Sequence, residues 1–422
     1  MELKKVLERL DFSPDQRETD YLKKETNNFI YLLEKEISKK KIDADVFIGG
    51  SFAKGTLLKS DNYDIDLFVR FDWKYVDLTN ILSEIMQNFA KKNKLKIEKV
   101  HGSRDYFRIS INKKAIFEVI PVVRIKKPRE ARNVTDLSYF HVNYVKKHLQ
   151  GNFKKEFLLA KQFCKATGVY GAESYINGFS GYSLECLIIY FKSFEKMLKE
   201  LIKIEKQIVI DPAKHYKKNE VFLELNESKL HSPLILIDPT WKERNVLAAL
   251  NSETFKKFQE SARALLKNPS EKLFQIKKFD ENSFKGIAIK NNSEFLHLIL
   301  KTNRQEGDIA GTKMKKFSSF LARELSKYFE ILASEFVYNF GKKSDFYFVL
   351  KPKQEVIRIG PPITNALAVK NFKEKNPEVF EKNGFLHSRI KINFTAKQFI
   401  NKFSRNQKKK LEEMSITSLE VV

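Results

Sequence analysis

GGSFAKGTLLKSDNYDIDLFVR, Gly49 to Arg70, is the stretch whose reading decides the fold. The apolar run Val46-Phe47-Ile48 before it stops at Gly49-Gly50, which predicts a strand ending there. Gly50 has no Cβ and lets an anion approach the backbone. Ser51 follows, where a short helix can open with its free N–H groups facing that anion, and Lys54 adds a positive charge. After the polar turn Ser60-Asp61-Asn62-Tyr63 a second strand is expected over Asp64-Ile65-Asp66-Leu67-Phe68-Val69. Alternation puts Asp64 and Asp66 on one face, roughly 6–7 Å apart, with Ile65, Leu67 and Val69 on the other. Two neighbouring carboxylates repel unless something neutralises them. A divalent cation with oxygen ligands does so, and Mg²⁺ suits carboxylates combined with phosphates. An isolated D-x-D reads more readily as a solvated strand face than as a metal site. The order strand, Gly-Ser turn, Lys, turn, D-x-D strand is what carries the information.

Working outward, Asp105 to Ile111 alternates like a strand, Asn112-Lys113-Lys114 turns the chain, and Ala115 to Pro121 returns with Glu118 inside an apolar run. An unpaired charge there is costly. Either a Lys or Arg near the strand edge or a metal would satisfy it. Upstream, residues 15–39 form a long amphipathic pattern, and residues 78–90 a helix between strands. Asn133-Val134-Thr135-Asp136 reads as a helix start, and the helical pattern runs from there to about residue 200. Short extended pieces follow at residues 208–211 and 234–239, with a helix expected over 245–267. A boundary is expected at Asn268-Pro269-Ser270. Beyond it, a strand over 294–300, a helix over 311–332, strands over 335–340 and 346–350, a strand ending at Gly360-Pro361-Pro362, a helix over 365–375 and an alternating basic and apolar run over 387–394 are expected.

With 422 residues and 42% hydrophobic content the chain is long enough for two to four domains with real cores. Its formal net charge of +25 favours a polyanionic partner. Most of the 36 Phe must be core, because base-stacking platforms need few. Cys164 and Cys186 lie in helical apolar patterns and fit a reducing cytosol. No run approaches the length of a membrane span, and the N-terminus is too charged for a signal peptide. The expectation is a soluble cytoplasmic protein with no membrane partner. Its oligomeric state is left open, a homodimer among the options.

The Gly-Ser turn followed by the D-x-D strand resembles the signature of the polymerase-β-like nucleotidyltransferases, whereas the G-x-x-x-x-G-K-S/T phosphate loop is missing. Later segments narrow the resemblance. Tyr170-Gly171-Ala172-Glu173, Gly178-Phe179-Ser180-Gly181-Tyr182, Ile237-Asp238-Pro239-Thr240 with Arg244-Asn245-Val246, and Ile359-Gly360-Pro361-Pro362 occur in that order. The set resembles the archaeal-type (class I) CCA-adding enzymes, the tRNA nucleotidyltransferases, from about residue 15 to about 400.

The resemblance implies an α+β multidomain chain. Residues 1–140 would be a polymerase-β-like mixed-sheet catalytic domain, residues 141–268 a helical central domain binding nucleotide, and residues 269–422 an α/β tRNA-binding region. It implies Asp64, Asp66 and Glu118 as catalytic metal ligands for Mg²⁺, since the hairpin after the D-x-D strand is where these enzymes place the third ligand. Two such ions about 3.5–4 Å apart clamp an in-line attack on an α-phosphate. Gly50, Ser51 and Lys54 match triphosphate contacts, His141 the phosphate-binding His, Lys161 and Tyr170 further nucleotide contacts, and Arg244 the arginine that reads the incoming base. Spacing alone would leave His141 a helix-surface residue, Lys161 solvated and Tyr170 in the core. The implied activity adds C, C and A to the 3′ end of tRNA from CTP and ATP, with the acceptor arm as partner. Two departures stand out: Glu118 occupies a position where Asp is usual, and Lys59 to Tyr63 replaces a Gly-containing turn. A poly(A) or other 3′-tailing polymerase is the rival within enzymes, and a non-catalytic RNA-binding protein is the rival outside them.

Overall fold

Asp15 starts the first long helix. Its carboxylate accepts from the Glu18 N–H at 2.8 Å, an N-cap that frees a first-turn donor from water. This helix, α2 (Gln16–Lys39), follows the short α1 (Glu2–Arg9). The computed structural model describes residues 2–102, 104–217, 220–376 and 378–422. They fall into two units, Met1–Lys277 and Lys278–Val422.

In the first unit, β1 (Ala44–Ile48) stops at Gly49 as expected and α3 (Gly50–Lys54) follows directly. Next come β2 (Tyr63–Phe71), α4 (Leu78–Asn93), β3 (Glu98–Val100), β4 (Tyr106–Ser110) and β5 (Ala115–Val123). The five strands form one mixed sheet in the order β1-β2-β5-β4-β3. β2 runs antiparallel to β1 and parallel to β5. Ile65, Leu67, Val69 and Phe71 point to one face and pack with Phe107, Ile109, Phe117 and Val119 beneath α2 and α4. Phe29 of α2 stacks on Phe117 at 4.4 Å between centroids. Each such side chain contributes about 1.5–3 kcal/mol by leaving water, so the sheet cannot slip by one residue without exposing this set. Register therefore fixes Asp64 and Asp66 on the opposite face.

On that face Arg70 lies under the Tyr139 ring of α5 (Ser138–His148), and α6 (Asn152–Ala166), α7 (Gly181–Phe191) and α8 (Phe194–Leu201) follow in the same unit. Asp136 secures the entry to α5. It is buried, pairs with the Arg104 guanidinium, and accepts from the Val123, Arg132 and Asn133 N–H groups, each at 2.9 Å. β6 (Ile208–Ile210), α9 (Val221–Glu224), β7 (Leu234–Asp238), β8 (Trp241–Asn245) and α10 (Ser252–Lys267) complete the unit's main elements. The helix expected from residue 245 begins only at Ser252. Asn245 ends β8 instead, its Oδ1 accepting from the Leu236 and Leu247 N–H groups at 3.0 and 2.9 Å. Val246, Leu247 and Leu250 mimic helical spacing but are buried as a turn.

The second unit contains α11 (Glu281–Lys290), β9 (Glu294–Lys301), α12 (Asp308–Ser326), β10 (Phe329–Tyr338), β11 (Lys343–Pro352), β12 (Glu355–Pro362) and α13 (Ala366–Lys375). β13 (Val379–Lys382), β14 (Phe385–Lys391), α14 (Ala396–Asn406), α15 (Lys408–Glu413) and β15 (Ser418–Val421) follow. Its sheets have the orders β10-β11-β9-β15 and β12-β14-β13. The helix expected to reach residue 332 ends at Ser326. Phe329 continues the four-residue spacing of Phe317, Leu321 and Leu325, yet it opens β10 and enters the same core from a strand. Cys164 and Cys186 are buried and form no disulfide. Among the described residues no helix is long and apolar enough to cross a membrane.

Candidate active site

The Gly-Ser turn and the D-x-D strand meet. The Gly49 N–H donates to the Asp66 backbone oxygen at 2.8 Å. Gly50 adopts φ +57°, and a Cβ placed there would lie 1.6 Å from Asp66 Oδ2. Only glycine fits this cradle, on conformation and on space. We expect Gly50→Ala to lower nucleotide incorporation on the order of 100-fold and to cost about 1–2 kcal/mol of stability. A turnover assay beside a thermal melt checks both.

Asp66 is paired in register with Glu118 on β5, and Arg108 on β4 lies opposite Glu118 on its other side. Burial first, and then the nearby Glu118 and Asp64, push the Asp66 carboxyl up to about 7, against the pull of Lys54 and Lys161. Glu118 is also raised, mainly by burial. Its Oε1 accepts from Arg108 Nη2 at 2.7 Å and Nε at 3.1 Å. Of the two partners the sequence left open for Glu118, an arginine is the one in contact. Among the described residues no group of three or more Asp, Glu, His or Cys closes into a cage for a metal. The donor set still fits a hard divalent cation: two carboxylates on one strand face, one held at an elevated pKa by burial and then by negative neighbours, beside a backbone opening without a Cβ. Arg108 holds Oε1 of Glu118, which leaves Oε2 as the oxygen that can join them.

Lys54 and Lys161 converge on the residues that follow the cradle. Lys54 Nζ donates to Glu185 Oε2 at 2.7 Å, Thr56 Oγ1 donates to Glu185 Oε1 at 3.2 Å, and Lys161 Nζ donates to the Thr56 backbone oxygen at 3.1 Å. Lys161 is buried, which pushes its ammonium down to about 8. The Tyr170 ring lies 5.9 Å from Lys161 Nζ, and burial raises its hydroxyl pKa. Ser51 lies in the first turn of α3, and its backbone oxygen accepts from the Thr56 N–H at 2.9 Å.

His141 and Arg244 meet at Asp238. Asp238 Oδ2 lies 3.0 Å from His141 Nε2 and accepts from Arg244 Nη1 at 2.9 Å. Its Oδ1 accepts from the Tyr182 hydroxyl at 2.9 Å and from the Thr240 N–H and Oγ1, both at 2.8 Å. These partners outweigh complete burial and hold the carboxyl far below the usual range. A carboxylate only accepts, so the His141 proton sits on Nε2. The 3.3 Å approach of Arg244 Nη1 to that nitrogen is therefore a contact and not a bond. Burial lowers the His141 pKa despite Asp238, and the ring stacks on Tyr182 at 4.0 Å.

Asp238, Tyr182 and Glu185 were not singled out individually from the sequence. Glu185 gave a signal, being an acid inside the largely apolar run Leu184 to Phe191. Asp238 gave another, ending a strand just before Pro239.

The mixed sheet, the glycine cradle and the D-x-D pair define a nucleotidyltransferase. Residues 30–133 match the nucleotidyltransferase domain family, and residues 155–275 match the tRNA nucleotidyltransferase second-domain family. The CCA-adding enzyme of Nanoarchaeum equitans is 34% identical over 394 residues, covering 91% of this chain and 92% of that one. The CCA-adding enzyme of Saccharolobus islandicus is 34% identical over 291 residues, covering 67% of this chain and 64% of that protein. A solved structure of a poly(U) polymerase, Cid1, in a mutant form bound to MgATP, shares the fold with a TM-score of 0.50 and 14% identity, over 65% of this chain and 98% of that one. The chain belongs to the CCA-adding enzyme family of tRNA nucleotidyltransferases.

Proposed function

We propose that this protein adds C, C and A to the 3′ ends of tRNA from CTP and ATP without a nucleic-acid template, releasing pyrophosphate. The observation that carries the reading is the Asp64–Asp66 pair set against the Gly50 cradle, in a chain whose relative over nine-tenths of its length is a CCA-adding enzyme. Mg²⁺ would be held by Asp64 and Asp66, joined by Glu118 through the oxygen that Arg108 does not hold, and as a two-ion set would ease deprotonation of the attacking 3′-hydroxyl and neutralise the departing pyrophosphate.

The chain's own groups do the positioning. Gly50 leaves the backbone open beside Asp66, and the Ser51 turn offers donors to phosphate. Lys54 and Lys161 supply positive charge, Lys54 being held in place by Glu185. A bound triphosphate offsets the burial that lowers Lys161. Tyr170 closes the wall behind Lys161, and His141 lies close enough to Lys54 to feel its charge. Arg244, clamped by Asp238, presents its remaining donors to the incoming base. In this reading residues 1–140 hold the metals and residues 141–268 hold triphosphate and base. Residues 269–422 grip the acceptor arm through shape and phosphates.

The test offers tRNA ending at the discriminator base with CTP alone, and then adds ATP. Two cytidines and no more are expected from CTP, followed by a single adenosine. Continued addition of C, or tailing of unrelated RNA with A, overturns the assignment in favour of a tailing polymerase.

A further inference from the structure

Beside α3 the first unit holds an open cavity of about 730 Å³. Its walls come from the start of α2, the outer face of α3 and the turn between α5 and α6. Four lysines, Lys23, Lys54, Lys146 and Lys154, line it, and no Asp or Glu is among its described lining residues. Lys23 has an exposed partner in Asp20 at 3.5 Å, and Lys54 is tied to Glu185. Lys146 and Lys154 form no ion pair among the described residues. The Lys154 ammonium lies over Gly55, where a Cβ would come within 3.0 Å of it. Phe52, Leu57 and Pro14 give the same cavity an apolar wall.

We propose that this cavity is an accessory site for a free nucleotide, sharing only Lys54 with the catalytic one. Like charges gathered around one space repel, and an anion among them removes that cost. The volume falls in the range of small-molecule sites. A bare phosphate would use the lysines and leave the apolar wall idle, whereas a nucleoside triphosphate uses both, its base on Phe52 and Leu57 and its phosphates among the ammonium groups. The position also matters. α3 begins at Gly50, which forms the cradle for Asp66, and ends at Lys54, which lines this cavity while bonding Glu185. A polyphosphate that draws Lys54 from Glu185 changes the charge beside the cradle, so occupancy here is linked to the catalytic face.

The test is equilibrium dialysis of the full chain with radiolabelled CTP and Mg²⁺, without tRNA. Two CTP per chain are expected for the wild type. One is expected for the double variant Lys146→Glu with Lys154→Glu, at an unchanged melting temperature. Should charge reversal unfold the protein, Lys146→Gln with Lys154→Gln is expected to weaken one of the two sites at least tenfold. One CTP per chain in the wild type overturns the proposal, as do two undiminished sites in the folded double variant. Inorganic tripolyphosphate should displace this CTP only weakly. Displacement as strong as that by CTP would overturn the nucleotide assignment and leave an anion site. The dialysis needs no tRNA and no turnover, so its failure is distinct from failure of the CCA-addition assay.

Discussion

Asp66→Asn is expected to abolish nucleotide incorporation, by more than about 10³-fold, while making the metal-free protein more stable by about 1–2 kcal/mol. The two effects share one cause. In the metal-free fold Asp66 is pressed between burial, Glu118 and Asp64, and its carboxyl rises from 3.8 to about 7. The folded state therefore holds a proton there that the unfolded chain has lost over that interval. Stability of the metal-free wild type should fall as pH rises from about 4 towards 7 and then level off. In Asp66→Asn this part of the slope should vanish, and added Mg²⁺ should no longer raise the melting temperature. Melts in EDTA at stepped pH, with and without Mg²⁺, read both. Near-normal incorporation by the variant, or a variant less stable than wild type in EDTA, would sink the assignment of Asp66 to the metal site.

The sheet bearing this residue was legible because two local signals agree there. Period-two alternation fixes which face Asp64 and Asp66 share, and the Gly-Ser turn fixes where the preceding strand stops. Glu118 was legible as an acid in an apolar run. Its bond to Arg108 was legible too in principle: both residues are equidistant from Lys113, the centre of the marked turn, so hairpin register places them opposite each other. Periodicity failed at 245–251 and at 327–332. In each place apolar residues at helical spacing are buried by turns or a strand, and burial alone does not specify which element delivers a side chain to the core. Nothing local reveals that His141 and Arg244 meet, because they are 103 residues apart in the chain. Only the packing of α5 against the β7–β8 hairpin closes that distance. The resemblance named both residues, but it did not name the carboxylate that holds them.

That carboxylate gives the second large effect. Asp238 is fully buried and ionised, and two groups of the proposed nucleotide site, the base-reading Arg244 and the phosphate-binding His141, share its Oδ2. Asp238→Asn keeps the shape but replaces one oxygen with an NH₂ donor. That donor must face either Arg244 and His141 or Tyr182 and Thr240, and all of these are donors toward it. Leaving a buried cationic partner unsatisfied costs about 3–5 kcal/mol when one member of such a pair is removed. Retention of the second oxygen brings the expected loss for Asn to about 2–3 kcal/mol. The larger effect is on chemistry. Arg244 is a quarter exposed, and beside its place over the Tyr182 ring this bond is what aims it. Released, its guanidinium should sample several orientations, and kcat/KM for CTP and ATP should fall by about 10²-fold. Fidelity should fall with it, so incorporation of UTP relative to CTP is expected to rise several-fold, while Mg²⁺ still raises the melting temperature through Asp64 and Asp66. The ratio separates the two possible roles of Asp238. A residue that merely stabilises the β7–β8 hairpin would lower the melting temperature and scale all nucleotides down together, leaving the UTP-to-CTP ratio where it was.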